Sequence, residues 1–342
     1  MSVLDLDHDG DLDLVAAGKG STDQSQPSSL MIWLNRAGKL ETLVDPSLVG
    51  NWRLGIRALS PLENFRGNQA ALLVAGSWGP LKLLFWEDGR LRDLSNSHGL
   101  DGITGAWTSL LCGDFDSDGD KDILAGNLGT NTEWSLVGNQ RVGVFQLELK
   151  PPIKDQILPV AFRDGKWWPI QDLTTLKGMA PEYFARIPSH AAFSRMDLTS
   201  FTDFTGAEHP RLFEVQTLFS TVLWNEGGRF EAQPLPAEAQ TSPIRAMVHG
   251  HLSVGREPFI FIGQNVFQGD NPLTRHDAGD GLLMVLKAKH LWDCVSADRT
   301  GVRLVGEQTG LCFIPASVNR SWQIAVAESS GIVSILGPAG KE

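Results

Sequence analysis

The chain has 342 residues, a hydrophobic fraction of 42% and a formal net charge of −11 at pH 7, so it is long enough to bury a sizeable core. An acidic protein repels nucleic-acid backbones and anionic membrane surfaces, and neither is expected as a partner. No apolar run reaches the roughly 18 residues of a membrane-spanning helix, so membrane insertion is not expected.

The N-terminus reads MSVLDLDHDGDLDL. It lacks the basic region and the apolar region of a signal peptide. Because the chain begins inside an acidic loop, we expect residues 1–342 to form one domain that lacks its native N-terminal part.

Short segments rich in β-branched and aromatic residues recur along the chain and are bounded by Gly, Asn, Asp or Pro, which predicts strands. They occupy residues 12–18, 30–35, 70–76, 81–86, 121–127, 220–225, 258–263, 281–286 and 331–336. Short helical turns are predicted only near 173–184 and 287–292. The sequence therefore predicts an all-β fold.

One type of hairpin repeats: an apolar strand, a polar turn with Gly, and a second short strand. It reads IWLNRAGKLETL at 32–43, LLFWEDGRLRDL at 83–94 and VLWNEGGRFEAQPL at 222–235, with a weaker copy at 160–170. Glycine supplies the positive φ of such turns. Units of roughly 45–55 residues are typical of propeller blades. We therefore predict a β-propeller of seven four-stranded blades at 1–45, 51–95, 106–150, 155–190, 193–235, 243–290 and 296–338. The stretch 150–195 is irregular and Pro-rich, and an insertion is the alternative to a blade there.

Two nonapeptides follow the pattern D-x-D-x-D-G-x-x-D. Calcium takes six to eight oxygens at about 2.3–2.6 Å, and carboxylates at alternate positions of a tightly wound loop converge to supply them. Gly at position 6 permits the bend, and position 7 contributes its backbone carbonyl. Without a cation the clustered charges would repel one another. The predicted ligands are Asp5, Asp7, Asp9, Asp11 and Asp13 in the first loop, and Asp114, Asp116, Asp118, Asp120 and Asp122 in the second.

These loops differ from EF-hands, which require Glu at position 12 and a helix afterwards. Position 12 is Ala16 in the first loop and Ala125 in the second, and strand-like sequence follows both. The loops are therefore predicted to belong to a propeller.

The loops and the strands that follow them resemble FG-GAP (VCBS) repeats, the units of the integrin α-chain propeller. A more extensive similarity is to bacterial FG-GAP proteins of the ASPIC/UnbV type, related to cartilage acidic protein. It covers VAGSWGPLKLLFWEDGRL (74–91), AWTSLLCGDFDSDGDKDILAGNLGTNTEW (106–134), EAQPLPAEAQTSPIRAM (231–247) and RHDAGDGLLMV (275–285). The resemblance implies a secreted, periplasmic or cell-surface propeller that binds a protein or glycan ligand.

Three segments where a further acidic loop is expected have lost their carboxylates. They are residues 62–67, 197–202 and 248–255. We therefore expect two bound Ca²⁺ ions rather than one for each blade.

Polar residues after predicted strands are candidates for a ligand site on the propeller face, because loops that leave propeller strands often line that face. The alternative for each is a turn or backbone-capping role. The candidates are Asn127, Asn131, Asn265, His276 and Asp277.

Other side chains fit packing better than chemistry. His249 and His251 alternate on one strand and are interpreted as a degraded loop rather than a metal pair. Buried packing between blades is expected for most of Trp78, Trp107, Trp134, Trp167 and Trp168. A disulfide between Cys294 and Cys312 and two unrelated thiols are equally compatible with the sequence.

No catalytic motif is recognised, and no catalytic residue is assigned. The sequence favours a calcium-binding module for a protein or glycan. A propeller-based carbohydrate-active lyase or hydrolase and a structural part of a larger secreted protein are the alternatives.

Overall fold

The computed structural model describes residues 1–17, 30–43, 52, 54–132, 134, 141–148, 156–251, 258–267, 275–317 and 321–338. Most of this part of the chain is β-structure, arranged in six antiparallel sheets. None of its helices is long and apolar enough to span a membrane.

The first two sheets are built from consecutive strands, as predicted. Sheet 1 contains β1 (Ser2–Leu4), β2 (Asp13–Ala17), β3 (Leu30–Arg36) and β4 (Lys39–Leu43). Sheet 2 contains β5 (Ile56–Arg66), β6 (Gln69–Gly76), β7 (Gly79–Glu87) and β8 (Arg90–Asp93). A two-residue strand, β9 (Thr104–Gly105), pairs with the start of β7.

Sheet 3 is discontinuous in sequence. Its strand order is β10 (Ser109–Gly113), β11 (Asp122–Gly126), β16 (Thr221–Asn225) and β17 (Phe230–Pro234). Ile123 pairs with Leu223, and Ala125 with Thr221. The chain therefore leaves sheet 3 after its second strand and returns almost 100 residues later to complete it.

The intervening residues form a unit of their own, the insert. Its sheet has the order β14 (Lys166–Pro169), β13 (Gln156–Arg163), β12 (Val142–Glu148) and β15 (Glu208–Val215). Its helices are α1 (Leu173–Met179), α2 (Pro181–Phe184), α3 (His190–Phe193) and α4 (Leu198–Thr205). Leu176, Phe184 and Phe201 of the helices pack with Leu147 and Leu158 of the sheet to make a separate core.

The remaining sheets are again consecutive. Sheet 4 contains β18 (Ile244–His251), β19 (Pro258–Gln264), β20 (Leu282–Ala288) and β21 (Leu291–Val295). Sheet 5 contains β22 (Gln308–Ile314), β23 (Gln323–Glu328) and β24 (Val333–Leu336). A 3-10 turn (Ala237–Gln240) precedes sheet 4, and helix α5 (Ala297–Thr300) precedes sheet 5.

Sheets 1 to 5 pack face to face in sequence order, with one apolar cluster between each pair of neighbours. Ile32 meets Val74 between sheets 1 and 2, and Leu73 meets Ile123 between sheets 2 and 3. Equivalent clusters join sheet 3 to sheet 4 and sheet 4 to sheet 5. Within the described ranges no apolar cluster joins sheet 5 to sheet 1.

The outward faces of the two end sheets carry exposed apolar side chains. Val3 and Met31 lie on this face of sheet 1, and Val333 and Ile335 lie on the corresponding face of sheet 5. The same strands bury their other faces. The end sheets thus keep the two-sided apolar pattern of the sheets between them.

The predicted hairpins are confirmed at β3–β4, β7–β8, β16–β17 and β13–β14. Three predicted blade boundaries are wrong. The described residues between 106 and 235 form sheet 3 and the insert instead of three successive blades, so the described residues contain six sheets where seven blades were predicted. The alternative of an insertion at 150–195 is closer to the structure, although the insert extends from β12 to β15. Hydrophobic periodicity marks strands, but it does not mark which distant strands pair.

Two local predictions also need correction. Residues 287–292 are not a helix: they contain the end of β20, a turn at residues 289–290 and the start of β21, with His290 at a φ of 69°. Residues 197–202 begin helix α4 and are not a degraded acidic loop: Asp197 caps the helix by accepting a hydrogen bond from Ser200 N at 2.9 Å. The helical turns predicted near 173–184 are confirmed as α1 and α2.

Asp197→Ala is expected to lower the thermal midpoint at neutral pH, because it removes the cap of α4 and the ion pair with Lys166. That ion pair and the Ser200 bonds hold the pKa of Asp197 well below its ordinary value of 3.8. The stabilisation is therefore present above pH 3.8 and is lost as acid protonates the carboxylate. The difference between variant and wild type should shrink below that pH.

Circular dichroism melts at about pH 7 and about pH 3 measure both effects. Asp203→Ala, at an exposed position of the same helix, is the matched control and should leave the midpoint unchanged. Equal midpoints for wild type and Asp197→Ala at neutral pH would contradict the assigned role.

Candidate metal centre

Each acidic loop connects the first two strands of its sheet. The first joins β1 to β2, and the second joins β10 to β11. Both wind through the left-handed region at the same positions: φ is 66° at His8 and 96° at Gly10, and 64° at Ser117 and 101° at Gly119. Glycine adopts this region without steric cost, which explains its place at position 6.

The Asp at position 9 is the buried anchor of each loop. Asp13 and Asp122 are both 1% exposed. Asp13 Oδ2 accepts a hydrogen bond from Leu6 N at 2.8 Å, and Asp122 Oδ2 accepts one from Phe115 N at 3.0 Å. In both bonds the donor and the acceptor are seven positions apart, so the two loops close by the same interaction.

The other oxygen of each anchor holds the end of the third strand of the sheet. Asn35 N donates to Asp13 Oδ1 at 2.7 Å, and Asn225 N donates to Asp122 Oδ1 at 2.9 Å. Asn35 is 22 residues from its anchor and Asn225 is 103 residues from its own. The second loop is therefore completed by a strand on the far side of the insert.

Three carboxylates gather in each loop, at positions 1, 3 and 9. Within each group the ligand oxygens lie within 4.8 Å of one another: Asp5, Asp7 and Asp13 in the first loop, and Asp114, Asp116 and Asp122 in the second. Among the described residues these two groups are the clusters of this kind.

Several of the gathered oxygens are buried without a partner. They include Asp5 Oδ1, Asp7 Oδ1 and Asp114 Oδ1. The Asp7 side chain is only 2% exposed. A buried carboxylate oxygen without a hydrogen bond is costly, and a bound cation would satisfy it.

Two carboxylates of the gathered groups also have raised pKa values. Burial raises the pKa of Asp122 to about 7, against the opposing effect of its two backbone hydrogen bonds. Burial also raises the pKa of Asp7, and the neighbouring Asp13 raises it further. Both carboxylates would be ionised more readily beside a divalent cation.

The side chains at positions 5 and 7 lie outside the gathered groups. Asp9 Oδ2 accepts from Arg36 at 2.8 Å, and Asp118 Oδ2 lies 3.7 Å from Lys289 Nζ. Asp11 Oδ2 accepts from Ala37 N at 2.9 Å. Of the ten predicted ligands, the structure brings together the side chains at positions 1, 3 and 9.

In sheet 2 a short turn joins the first two strands in place of an acidic loop. Strand β5 continues to Arg66, and a two-residue turn with Gly67 at a φ of 64° leads directly into β6. In the predicted degraded loop of sheet 4, residues 248–251 belong to β18, and residues 252–255 lie outside the described residues.

Two of the predicted ligand-site residues are used inside the fold. Asn127 is fully buried; its Nδ2 donates to the carbonyls of Thr217 and Phe219, and its Oδ1 accepts from Leu128 N. Asn265 is also fully buried and bonds to four groups. Those groups are Gly279 O, Gly306 O, Gly279 N and Ser242 Oγ. Each side-chain polar atom of both residues has a partner, so their burial favours a structural role over contact with a ligand.

The other three predicted residues make contacts within the fold. Asn131 is exposed and donates to Thr241 O at 3.0 Å. His276 is bonded through its backbone to Val266, and burial lowers its pKa. Asp277 pairs with Arg275 at 2.7 Å. The prediction that these residues bind a ligand stays a prediction.

Aromatic and sulfur side chains mostly serve the core. Trp107 and Trp134 are buried, whereas Trp78, Trp167 and Trp168 are only half-buried, so burial holds for two of the five. Trp134 packs against Trp78 with ring centroids 4.7 Å apart. His249 packs edge-on against Phe115, between sheets 4 and 3. Cys294 and Cys312 are free thiols, so the disulfide alternative is wrong.

Sequence reasoning missed the basic residues of the two sites. Arg36 Nη2 lies 2.7 Å from Asp7 Oδ2, and Lys289 Nζ lies 2.9 Å from Asp116 Oδ2. Arg36 had a signal, because it follows the Asn of a recognised hairpin. Lys289 had none, since it comes from a sheet that contains no acidic loop in the described residues.

Comparison with known proteins identifies no family: no family model matches the chain, and no curated protein matches it. Among solved structures, the crystal structure of Sqt1 from Chaetomium thermophilum matches with a TM-score of 0.31 and 12% identity, over 95% of this chain and 79% of the other. A likeness this low carries no argument about fold or function.

Asn127→Ala should lower the free energy of unfolding by about 1–3 kcal/mol, because it leaves buried polar groups unpaired where the chain leaves and rejoins sheet 3. Urea denaturation of the variant measures the change. Asn131→Ala is the matched control, since it removes one exposed hydrogen bond and should change stability little. A fully stable Asn127→Ala protein would restore the possibility that this side chain serves a ligand.

Proposed function

We propose that the two acidic loops each bind one Ca²⁺ ion and that the chain is a calcium-stabilised scaffold of the FG-GAP β-propeller type. The observation that carries the proposal is the gathering of three carboxylates at positions 1, 3 and 9 of both loops, together with the buried oxygens Asp5 Oδ1, Asp7 Oδ1 and Asp114 Oδ1, which have no hydrogen-bond partner. The same arrangement in two distant loops supports selection for a ligand common to both.

The donor set favours a hard cation. Each group consists of carboxylate oxygens, without the sulfur or imidazole ligands that zinc and copper prefer. Magnesium requires near-ideal octahedral geometry, whereas calcium accepts irregular loops with carboxylate and carbonyl oxygens. Asp5, Asp7 and Asp13 would hold the first ion, and Asp114, Asp116 and Asp122 the second.

The proposed role of the scaffold is to bind a protein or glycan ligand outside the cytoplasm. Support comes from the resemblance of residues 74–91, 106–134, 231–247 and 275–285 to secreted FG-GAP proteins. Extracellular modules bind calcium with Kd values of about 10⁻⁴–10⁻³ M, and partly exposed three-carboxylate sites suit such affinities.

Calcium should raise the thermal midpoint, since it binds the folded loops and not the unfolded chain. Free calcium at about one hundred times Kd would contribute about 2.7 kcal/mol for each site. Differential scanning calorimetry in calcium and in EDTA measures this, with magnesium as the control cation. Identical melts in calcium and EDTA would refute the metal proposal.

Asp116→Asn should reduce the number of bound calcium ions from two to one, because it neutralises a buried member of the second group while preserving its shape. Equilibrium dialysis followed by atomic emission counts the ions directly. Asp101→Asn, a change of the same charge at an exposed position of another loop, should retain both ions. Two ions bound to Asp116→Asn would show that the ligand assignment is wrong.

A further inference from the structure

The two loops differ in where their basic partner comes from. Arg36, which contacts Asp7 and Asp9, is the last residue of the third strand of the same sheet. The residue at the same place in sheet 3 is Glu226, because Asn35 and Asn225 occupy equivalent positions before them. Sheet 3 therefore has an acidic residue where sheet 1 has a basic one.

The missing positive charge is supplied by the neighbouring sheet. Lys289 lies in the turn between β20 and β21 of sheet 4. Its Nζ is 2.7 Å from Glu226 Oε1, 2.9 Å from Asp116 Oδ2 and 3.7 Å from Asp118 Oδ2. A single ammonium group thus joins both the second loop and the adjoining turn of sheet 3 to sheet 4.

This ammonium group competes directly with a metal. The Asp116 side chain, 6% exposed, belongs to the gathered carboxylates and is also a partner of Lys289. A divalent cation on that carboxylate would repel the ammonium and take over one of its ligands. Lys289 remains 35% exposed, so it has room to turn toward solvent.

Resting on the proposed calcium function, we infer that Lys289 is a tethered competitor of the metal at the second loop. Without calcium it neutralises the loop and ties sheet 4 to sheet 3. When calcium binds, Asp116 is transferred from the lysine to the metal, and this ion-pair link between the sheets weakens. The first loop has no such coupling, because Arg36 belongs to its own sheet. The two loops would therefore share a sequence motif, but calcium binding would weaken an ion pair between sheets only at the second.

The test uses the full chain with Asp7→Asn as background, so that calcium binding reports on the second loop. Lys289→Met in this background should bind calcium about tenfold more tightly by isothermal titration. It should also melt lower than its parent in EDTA, and the deficit should close when calcium is added. Lys287→Met removes the same charge two residues away and should change the affinity much less.

The outcomes separate the two claims. If the Asp7→Asn parent binds no calcium, the proposed metal function of the second loop fails, and the inference fails with it. If the parent binds calcium and Lys289→Met binds it equally or less tightly, the competitor role alone is overturned. A melting deficit that is the same in EDTA and in calcium would also overturn it, since a lysine that only ties the sheets together would behave that way.

Discussion

The hydrogen bonds made by one buried aspartate organise each acidic loop. Asp13 and Asp122 close the loop with one carboxylate oxygen and hold the end of the third strand with the other. A carboxylate is suited to this role because each oxygen accepts bonds independently. Its burial is unfavourable, as the raised pKa of Asp122 indicates. Backbone donors offset part of that cost, and the proposed cation would offset more.

The hydrogen bonds of Asp122 help to hold the two halves of sheet 3 together across the insert. The described residues from β12 to β15 form a unit with its own helices and core, placed between the second and third strands of sheet 3. The ladder from β11 to β16 and the bond from Asn225 to Asp122 join the two halves of the sheet. Buried Asn127 adds bonds to Thr217 and Phe219 where the chain returns. Polar side chains that look available for a ligand in the sequence are thus used to seal this junction.

Contacts between sheets give the two acidic loops different surroundings. Sheets 1 to 5 associate through apolar clusters, and the hydrophobic effect that drives this association is non-directional. Charged contacts at the loops are directional, because they pair particular side chains. Arg36 balances the first loop from its own sheet, whereas Lys289 balances the second from sheet 4. The positive charge that neutralises the first loop therefore comes from the same sheet, and the charge that neutralises the second comes from the neighbouring sheet.

The sequence by itself determined the local features: the β-rich character, the four hairpins, and the two nonapeptides with Gly10 and Gly119 at the bend. These depend on alternation of apolar residues and on backbone conformations that particular residues favour. Tertiary structure alone decided that β11 pairs with β16, that Asn127 is buried, and that Lys289 contacts Asp116. Such contacts join residues many positions apart. They depend on how the sheets stack, and local sequence patterns carry no record of that.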